Sequence, residues 1–594
     1  MTAPQLQTRY TQISAPVTAA ETPHTHVYTH LRSYIPLLAL LLAGAALRLI
    51  LLARGVPSLD SDEATFGLMA LHMAHGQFSV FMWGQNYMGP LEPLISLPYM
   101  LILGTSALSL RLGPLTLYCA AIIVLYVFCK RYFSQRIAMY TAAALAFASP
   151  FFTIVGVREF GGYVDTMLLG PLLLLLALDD LRSWRRLTVL GLLAGFAFWV
   201  NMLSAPFIIV AIFMYVVQRR GRIFHLASLL FAGAMAVGAS PALLAYAGDL
   251  AQLAQNSNHG SAAAGTAQNY TVATQLSQGI FSILISQGIH VAQTFAISLP
   301  ILFGFGIGGL QSNGYTPSAF WATAAQHPWT YAVSVILAAL FIALLVGSAK
   351  HIWRRRVLLF VHLGPEQELR AAQSALRAEA ALLLVGVLYI IAFIIGQREL
   401  AATPRYLFPL IAVIPSALAQ LDRFAGRLAD YMKQGKKPIL GNIGLGKAQW
   451  SIMGLLLLPI LLINITGSLM VTQQETAAFE KGHWVYGSDQ ALLTALYQDN
   501  VHTVISNDYW EGMRLTFESN ERIITVMITP LGTLGYNRYA PYIKAGQSDP
   551  RPAYVDYVNT QESRILLKQY NEGKLPGYSI KIIGQFLVAL PPKK

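Results

Sequence analysis

Charged residues are scarce in this chain of 594 residues. Only 12% of the residues are Asp, Glu, Lys or Arg, and 55% are hydrophobic. A soluble domain normally carries about 25% charged residues. Apolar runs recur along the chain, and each crossing of a bilayer needs roughly 20 such residues. The composition argues against a soluble globular protein and predicts a polytopic α-helical membrane protein.

Acidic residues are the scarcer of the two charge signs. The chain has 28 acidic and 41 basic residues, which gives a formal net charge of +13 at pH 7. In a soluble protein this excess would suggest a nucleic-acid partner. Here most basic residues lie in short segments between apolar runs, which is the pattern of cytoplasmic loops. We therefore expect a lipid bilayer as the surrounding partner and no nucleic acid.

Cysteine is almost absent. Cys119 and Cys129 fall in one apolar run, where ten residues of helix would separate them by about 15 Å, too far for a disulfide. The sequence also has no CxxC or other clustered zinc signature. The sequence therefore predicts neither a disulfide framework nor a cysteine–zinc centre.

Three regions can be distinguished by composition. They are a polar cytoplasmic tail at 1–33, a transmembrane module at 34–471 with a first external loop at 55–108, and an external domain at 472–594. In the last region, "VHTVISN", "RIITVMI", "AYVDYV" and "YSIKIIGQFLVAL" are typical of strands, and "ALLTALYQ" has helical spacing. Alternating strands and helices predict a small α/β domain.

The basic segments also give the direction of each crossing. The first helix, at about 34–54, leads outward, and the span at about 109–129 returns. The stretch Leu187–Val217 is basic at both flanks, so it must cross an even number of times, with a break predicted at Val200–Pro206. Residues around 279–308 are expected to be an interfacial segment or a hairpin. The total is about eleven to thirteen crossings, with the N-terminus inside and the C-terminus outside.

The first external loop contains a cluster of acids. "SLDSDEATFG" places Asp60, Asp62 and Glu63 directly after the first apolar helix. An aromatic, Pro-interrupted stretch follows, and its apolar end at 91–103 is too short to span, so we expect helices that lie in the interface. Carboxylates beneath such helices can meet a lipid head group and a second substrate. Partial desolvation would raise a carboxylate pKa toward that of a general base.

This loop resembles the first external loop of the GT-C glycosyltransferases. The resemblance is to the family 39 type: protein O-mannosyltransferases, aminoarabinose transferases and bacterial relatives that glycosylate lipopolysaccharide. It is carried by "DSDEATFGLMALHMAHGQFSVFMWGQNYMGPLEPLI", "GLLAGFAFWVNMLSAP", "TPRYLFPLIAVIPSALA" and "ISNDYWEGMRLTFESNERIITV". One departure is that Glu92 directly precedes Pro93, where the aminoarabinose group has an intervening Lys.

The resemblance implies a GT-C-like fold and a reaction. The donor would be a polyprenyl-phosphate sugar, and the acceptor a hydroxyl on an external glycolipid, glycan or protein, at the cell membrane. Asp62 matches the family's catalytic Asp and would be the base of an inverting transfer, with Glu63 beside it. Glu63 and Glu92 would orient the acceptor or hold a divalent metal, which His290 could ligate together with Glu92; no other cofactor is implied. Asp60 has no counterpart in the family and is expected to be a solvated loop residue.

The phosphate of such a donor needs positive charge. Arg158 in "VREFGG" and Arg398 and Arg405 in "GQRELAATPRYLFP" lie in predicted external segments. Arg405 is favoured because its "PRY" context resembles the family motif, and Tyr87 is expected to contact substrate. The aromatic residues of "DYW" and "GYNRYAPY" in the C-terminal domain are suited to stacking on sugar rings or to packing in a core.

Two other classes of protein remain open. A transporter or flippase of a glycan or lipid-linked substrate would fit the broken stretch 187–217 and the intramembrane Arg48. Inverted repeats, which many transporters have, are not evident, and Arg48 and Arg111 lie near helix ends where they could reach the interface. A non-catalytic glycan receptor is the third alternative. Only an enzyme would consume lipid-linked sugar.

The topology can be tested with reporter fusions. A reporter that is active only outside the cytoplasm, fused after Lys594, should be active, and one fused within the basic segment 423–436 should be silent. A cytoplasmic reporter should give the opposite pattern at both positions. An inactive external reporter beside an active cytoplasmic one after Lys594 would contradict the predicted parity of crossings.

Overall fold

In the computed structural model of the protein, the described part of the chain begins at Tyr34 and ends at Pro592. Residues within this range that lie outside the description are 180, 182, 219–225, 257–279, 306–316, 362–366, 397–403, 435–443, 477, 481–482, 486–488 and 530–531.

The part before Val471 is helical. Its α-helices, in chain order, are α1 (Ile35–Ala53), α2 (Ser61–Ala74), α3 (Leu91–Leu103), α4 (Ala107–Tyr132), α5 (Gln135–Ala146), α6 (Pro150–Val155), α7 (Tyr163–Ala177), α8 (Trp184–Val200), α9 (Ala205–Gln218), α10 (Leu226–Gly238), α11 (Ser240–Asn256), α12 (Ile280–Gln293), α13 (Leu299–Leu302), α14 (Pro317–Gln326), α15 (Pro328–Arg354), α16 (Arg356–Phe360), α17 (Gln367–Ile395), α18 (Ile414–Gln434) and α19 (Leu445–Met470).

The described residues contain fewer helices of membrane-spanning length than the number of crossings predicted from the sequence. Among the described residues, seven segments are long and apolar enough to cross a membrane: Ile35–Ala53, Ala107–Tyr132, Leu284–Leu302, Pro328–Arg354, Gln367–Ile395, Pro404–Gln434 and Leu445–Met470. The pair α10 and α11, bent by 66°, would make an eighth span. The sequence predicts about eleven to thirteen crossings. The difference arises because shorter apolar helices, such as α7 and α9, occupy several of the expected positions.

The expected crossing near 137–155 is one of these interrupted segments. It breaks after α5, and α6 begins at Pro150. A break inside a membrane leaves carbonyl groups without helical partners. Arg48 of α1 supplies donors, since its Nη1 donates to Ala146 O at 2.8 Å and its Nη2 to Leu145 O at 3.3 Å. Arg48 is therefore buried in a structural role, and the expectation that it reaches the interface is wrong.

Two other expectations about the membrane module have clear outcomes. The break predicted at Val200–Pro206 is confirmed, because α8 ends at Val200 and a 3₁₀ turn at Met202–Ser204 precedes α9. The segment around 279–308 differs from the expected interfacial segment or hairpin. Within its described part, residues 280–305, Leu284–Leu302 is one candidate span that contains a π-helical stretch at Thr294–Ser298.

The first external loop contains two helices. Asp60 caps the N-terminus of α2: its Oδ1 accepts from Glu63 N at 2.9 Å, and the Glu63 side chain accepts from Asp60 N. This capping box fixes where α2 begins. The second helix, α3, has 13 residues, too few to span, as predicted. Its last residues, Leu101–Leu103, are apolar and exposed, which fits a helix at a lipid interface.

The C-terminal domain is built on a small mixed sheet. Its strands are β1 (Ala478–Glu480), β2 (His483–Val485), β3 (Thr503–Ser506), β4 (Ile524–Met527), β5 (Ala553–Tyr557), β6 (Ser579–Ile583) and β7 (Phe586–Leu590). Its helices are α20 (Gln473–Thr476), α21 (Gln490–Gln498), α22 (Tyr509–Glu518), α23 (Ala540–Ser548) and α24 (Gln561–Asn571). The five-stranded sheet has the order β4-β3-β5-β7-β6. Strand β3 is parallel to β4 and β5, and β7 is antiparallel to β5 and β6. The strands of this five-stranded sheet lie in the predicted segments, whereas β1 and β2 were not predicted.

This domain packs against the first external loop through α22 and α2. Gly67 of α2 makes the approach possible, since a Cβ there would lie 2.3 Å from a ring carbon of Phe517. Ser61 Oγ donates to Tyr509 O at 2.7 Å. His72 Nε2 lies 2.8 Å from Glu521 Oε1. The contact brings the N-terminus of α22 to the acidic cluster at the start of α2.

Candidate active site

Asp62 lies in the first turn of α2, where the loop meets the C-terminal domain. Its Oδ1 accepts from Tyr509 OH at 2.8 Å and from Arg538 Nη2 at 2.5 Å. Both donors come from the C-terminal domain. The Asp62 side chain is 17% exposed, and its Oδ2 accepts no hydrogen bond from the described residues. One carboxylate oxygen is therefore held, and the other remains available.

Arg538 is fixed by three different partners. Its Nε donates to Tyr509 OH, its Nη1 donates to Trp83 O at 3.1 Å, and its Nη2 donates to Asp62. The guanidinium carbon also lies 5.1 Å from the centre of the Tyr509 ring and 5.2 Å from that of Tyr536. A planar guanidinium with every nitrogen bonded has little freedom to move.

The protonation of Asp62 follows from these contacts. Burial raises its pKa, but attraction by Arg538 and then Arg405, together with the Tyr509 hydrogen bond, outweighs burial and leaves the pKa below its usual value. The sequence predicts a pKa raised by desolvation, and the structure gives the opposite direction. Asp62 is therefore a carboxylate at neutral pH.

Arg405 lies at the start of a 3₁₀ helix, Pro404–Val413. Its guanidinium is a cation that is not bonded to an anion in the described part of the chain. None of the described residues forms a hydrogen bond or ion pair with its guanidinium, and its Nε is buried without a partner. Its guanidinium carbon lies 5.7 Å from the Phe160 ring and 5.6 Å from the Tyr406 ring. An incompletely solvated cation without an anionic partner is costly, so this position suits an anionic ligand.

The surroundings of Arg405 connect it to Asp62. Tyr163, Tyr406, Asp62 and Tyr87 all lie close enough to interact with Arg405 electrostatically. Tyr87 is half-buried in the first external loop. The structure thus brings three of the predicted site residues, Asp62, Arg405 and Tyr87, into one region.

Glu63 has a different environment from its neighbour Asp62. Arg111 donates to both of its oxygens, from Nε at 2.9 Å and from Nη2 at 2.7 Å, and Arg158 donates to Oε2 from Nη2 at 3.2 Å. Burial raises the pKa of Glu63, but attraction by Arg111 and then Arg158 outweighs it and lowers that pKa. Glu63 is 0% exposed. Instead of the predicted catalytic position, it occupies a structural one, and Arg111 is buried rather than directed to the interface.

Asp60 and Arg158 belong to the same buried network. Arg158 Nη2 donates to Asp60 Oδ2 at 2.9 Å and to Ser58 O at 2.9 Å. Burial raises the pKa of Asp60 to about 6, although Arg158 partly offsets that effect. The expectation of a solvated Asp60 is therefore wrong. Arg158 is turned toward these carboxylates, an arrangement that does not favour its predicted role as a phosphate ligand.

Glu92 stabilises a turn. Its Oε2 accepts from Gly161 N at 2.8 Å and its Oε1 from Gly162 N at 3.0 Å. Both glycines have positive φ, +75° and +89°, a conformation that side chains disfavour. Asn201 Nδ2 donates to Gly161 O at 2.8 Å. Since both Glu92 oxygens are bonded to the backbone, the predicted contact with acceptor or metal is not favoured.

The metal site predicted from the sequence, with Glu92 and His290 as ligands, is not favoured either. His290 Nδ1 lies 3.4 Å from Ile394 O, whereas Glu92 is bonded to the Gly161–Gly162 turn. In the described part of the chain, no group of three His, Cys, Asp or Glu residues could hold a metal ion. Arg398, predicted as a further phosphate ligand, lies outside the described residues.

Tyr509 and Arg538 are the site residues that the sequence does not reveal. They occur in the aromatic motifs "DYW" and "GYNRYAPY", which suggest sugar stacking or core packing. The structure shows that both bond to Asp62. One signal was available: Arg538 is a cation within an otherwise aromatic segment of a domain predicted to be external.

The different roles of Glu63 and Asp62 can be separated by stability measurements. Glu63→Gln removes the charge that compensates Arg111 and Arg158, and losing one partner of a buried ion pair costs about 3–5 kcal/mol. We therefore expect a markedly lower thermal midpoint in detergent for Glu63→Gln than for Asp62→Asn. Equal midpoints for the two variants would contradict the structural role of Glu63.

One part of the chain is similar to a known protein family. Residues 89–244 match the family model described as dolichyl-phosphate-mannose-protein mannosyltransferase. The match covers about a quarter of the chain and runs from the first external loop into α11. A search of curated proteins gives no significant match.

Solved structures extend the likeness to nearly the whole chain. ArnT from Cupriavidus metallidurans in the apo state gives a TM-score of 0.50 at 11% identity, and the match covers 94% of this chain and 98% of that one. The same protein bound to undecaprenyl phosphate gives 0.33 at 12% identity, with 95% and 98% covered. The oligosaccharyltransferase AglB from Archaeoglobus fulgidus, with an inhibitory peptide and a dolichol-phosphate, gives 0.47 at 13% identity, with 94% and 74% covered. The match to apo ArnT supports the expected fold, and together with the family match it bears out the resemblance to GT-C glycosyltransferases.

Proposed function

We propose that this protein transfers a sugar from a polyprenyl-phosphate donor to an acceptor hydroxyl. The observation that carries the proposal is Arg405, a half-buried cation without a bonded anion, close to the ionised Asp62. The phosphate of a lipid-linked sugar would supply the missing anion. The family model that matches residues 89–244 supports this donor class, since it is described as dolichyl-phosphate-mannose-protein mannosyltransferase, and dolichyl phosphate mannose is a polyprenyl-phosphate sugar.

In this proposal, Arg405 acts on the leaving group. The bond between the anomeric carbon of the sugar and the phosphate oxygen breaks, and the phosphodiester leaves as polyprenyl phosphate with an additional negative charge. A guanidinium placed at that oxygen stabilises the developing charge. Tyr87, which also lies near Arg405, would contact the donor on the same side.

Asp62 is the proposed general base. The acceptor hydroxyl attacks the anomeric carbon from the face opposite the phosphate, which inverts the configuration, and its proton passes to Asp62 Oδ2. A carboxylate of low pKa can do this because the hydroxyl becomes acidic as its oxygen bonds to carbon. The oxygen needed for this step is the one that no described residue engages.

The location of the reaction follows from the predicted topology. Asp62 lies beyond the outward end of α1 and contacts the C-terminal domain. With a cytoplasmic N-terminus, this places the site and that domain at the external face of the cell membrane. The acceptor would be an external glycolipid, glycan or protein. The transporter alternative loses support, because Arg48 is bonded to the carbonyls of α5 rather than placed along a solute path.

The role of Asp62 predicts a specific loss of turnover. Asp62→Asn keeps the size of the side chain but removes its basicity, so kcat should fall by about 10²–10⁴-fold. The measurement is sugar transfer from a polyprenyl-phosphate donor by purified protein in nanodiscs. Asp430→Asn, at an exposed position of α18, is the matched control and should retain wild-type turnover. Near-normal turnover of a folded Asp62→Asn protein would disprove the assignment.

The role of Arg405 predicts a defect in donor use. A hydrogen bond to a charged group is worth about 1.5–3 kcal/mol, so Arg405→Ala should raise the donor KM or lower kcat roughly ten- to a hundredfold. Inhibition by added polyprenyl phosphate should weaken in parallel. Arg427→Ala, at an exposed position of α18, serves as the control. If donor kinetics and product inhibition are both unchanged in Arg405→Ala, the phosphate binds elsewhere.

A further inference from the structure

We propose that the C-terminal domain completes the active site, with Arg538 and Tyr509 as positioning residues that orient Asp62 for proton transfer. The inference rests on the proposed function, in which Asp62 is the base. It adds that the membrane module alone does not fix the orientation of this carboxylate, because both of its hydrogen-bond donors come from the C-terminal domain. The two residues act through Asp62 and need not touch substrate.

The first argument is geometric. Tyr509 OH and Arg538 Nη2 both donate to Oδ1 of Asp62, at 2.8 Å and 2.5 Å. The terminal torsion of an aspartate is broad, so a single contact would leave the carboxylate free to rotate. Two donors on one oxygen hold that oxygen and direct Oδ2 away from the domain. A fixed orientation of this kind is what a proton transfer within a bound complex requires.

The second argument concerns Arg538 itself. Its three nitrogens donate to Tyr509 OH, Trp83 O and Asp62 Oδ1, and its side chain is 3% exposed. This arrangement leaves little capacity for a substrate phosphate, in contrast to Arg405. Arg538 therefore serves to connect the first external loop, the C-terminal domain and Asp62.

A purely structural bridge between domains is the competing explanation. The interface has other contacts that do not involve Arg538: Ser61 Oγ donates to Tyr509 O, and His72 lies against Glu521. Trp83 and Tyr539 stack with ring centres 4.0 Å apart. The C-terminal domain should therefore still pack against the first external loop when Arg538 is substituted. The effect of the substitution on Asp62 can then be measured separately.

The pH dependence of turnover distinguishes the two explanations. The titratable or charged groups that act on Asp62 are Arg538 and Tyr509 from the C-terminal domain, Arg405 and Tyr163 from the membrane module, and Asp60 from its own loop. Arg538 lowers the pKa of Asp62. Removing it should raise that pKa, so Asp62 becomes protonated at a higher pH and the acid limb of kcat moves upward.

The experiment combines three variants with one control. Arg538→Ala removes the charge and the bonds, Arg538→Lys keeps the charge without the three-way geometry, and Tyr509→Phe removes one donor but keeps the ring. Arg564→Ala, exposed on α24 of the same domain, is the control. Each is assayed for transfer from a polyprenyl-phosphate sugar across a pH series, and its thermal midpoint is recorded.

The expected results differ between the variants. Arg538→Ala should lower kcat roughly ten- to a hundredfold and shift the acid limb to higher pH. Arg538→Lys should lower kcat with a smaller shift, because its charge persists. Tyr509→Phe should show a milder form of both effects. If Arg538→Ala does not fold, the Lys and Phe variants provide the same comparison.

A double-mutant cycle separates this inference from the proposed function. If Arg538 acts through Asp62, its substitution in the Asp62→Asn background should change the residual rate by less than about threefold, since coupled effects are not additive. Equal losses in both backgrounds with no pH shift would overturn the inference and leave Asp62 as the base. Full turnover by Asp62→Asn would overturn the proposed function, and this inference with it.

Discussion

The ion pair between Glu63 and two arginines is the interaction that organises the region around Asp62. Arg111 comes from α4 and Arg158 from the segment between α6 and α7, so one buried carboxylate joins three parts of the chain. Successive residues of a helix point about 100° apart. With Glu63 bonded inward to the arginines, Asp62 at the preceding position is directed toward the C-terminal domain. The orientation of the available carboxylate thus depends on its buried neighbour.

Four acids in the first external loop have separate tasks because their surroundings differ. Asp60 caps α2 and pairs with Arg158, and Glu63 joins helices. Glu92 holds a turn of two glycines whose backbone conformation other residues rarely adopt. Asp62 alone in this group keeps one oxygen without a hydrogen-bond donor among the described residues. A loop that appears uniformly acidic in sequence contains mainly structural carboxylates.

Local sequence patterns predicted much of this arrangement. The break near Asn201 and the strands of the five-stranded sheet follow from neighbouring residues, and the structure has them where expected. Asp62, Arg405 and Tyr87 could be named as candidates from the family resemblance. The partners of Asp62 could not, because Tyr509 and Arg538 lie 447 and 476 residues away. The break after α5, which lowers the number of crossings, also involves a contact distant in sequence, since Arg48 bonds carbonyls 97 and 98 residues away.

The contact between Asp62 and Arg538 has a consequence for biosynthesis. A ribosome makes Asp62 early and Arg538 near the end of the chain, so the helices around Asp62 enter the bilayer long before the arginine exists. A product of premature termination could insert its membrane helices and still lack both residues that bond to Oδ1. Such a fragment would bring Asp62 to the membrane surface without its two donors. Synthesis of the C-terminal domain would then act as a checkpoint, since the full set of contacts around Asp62 forms only after that domain has folded.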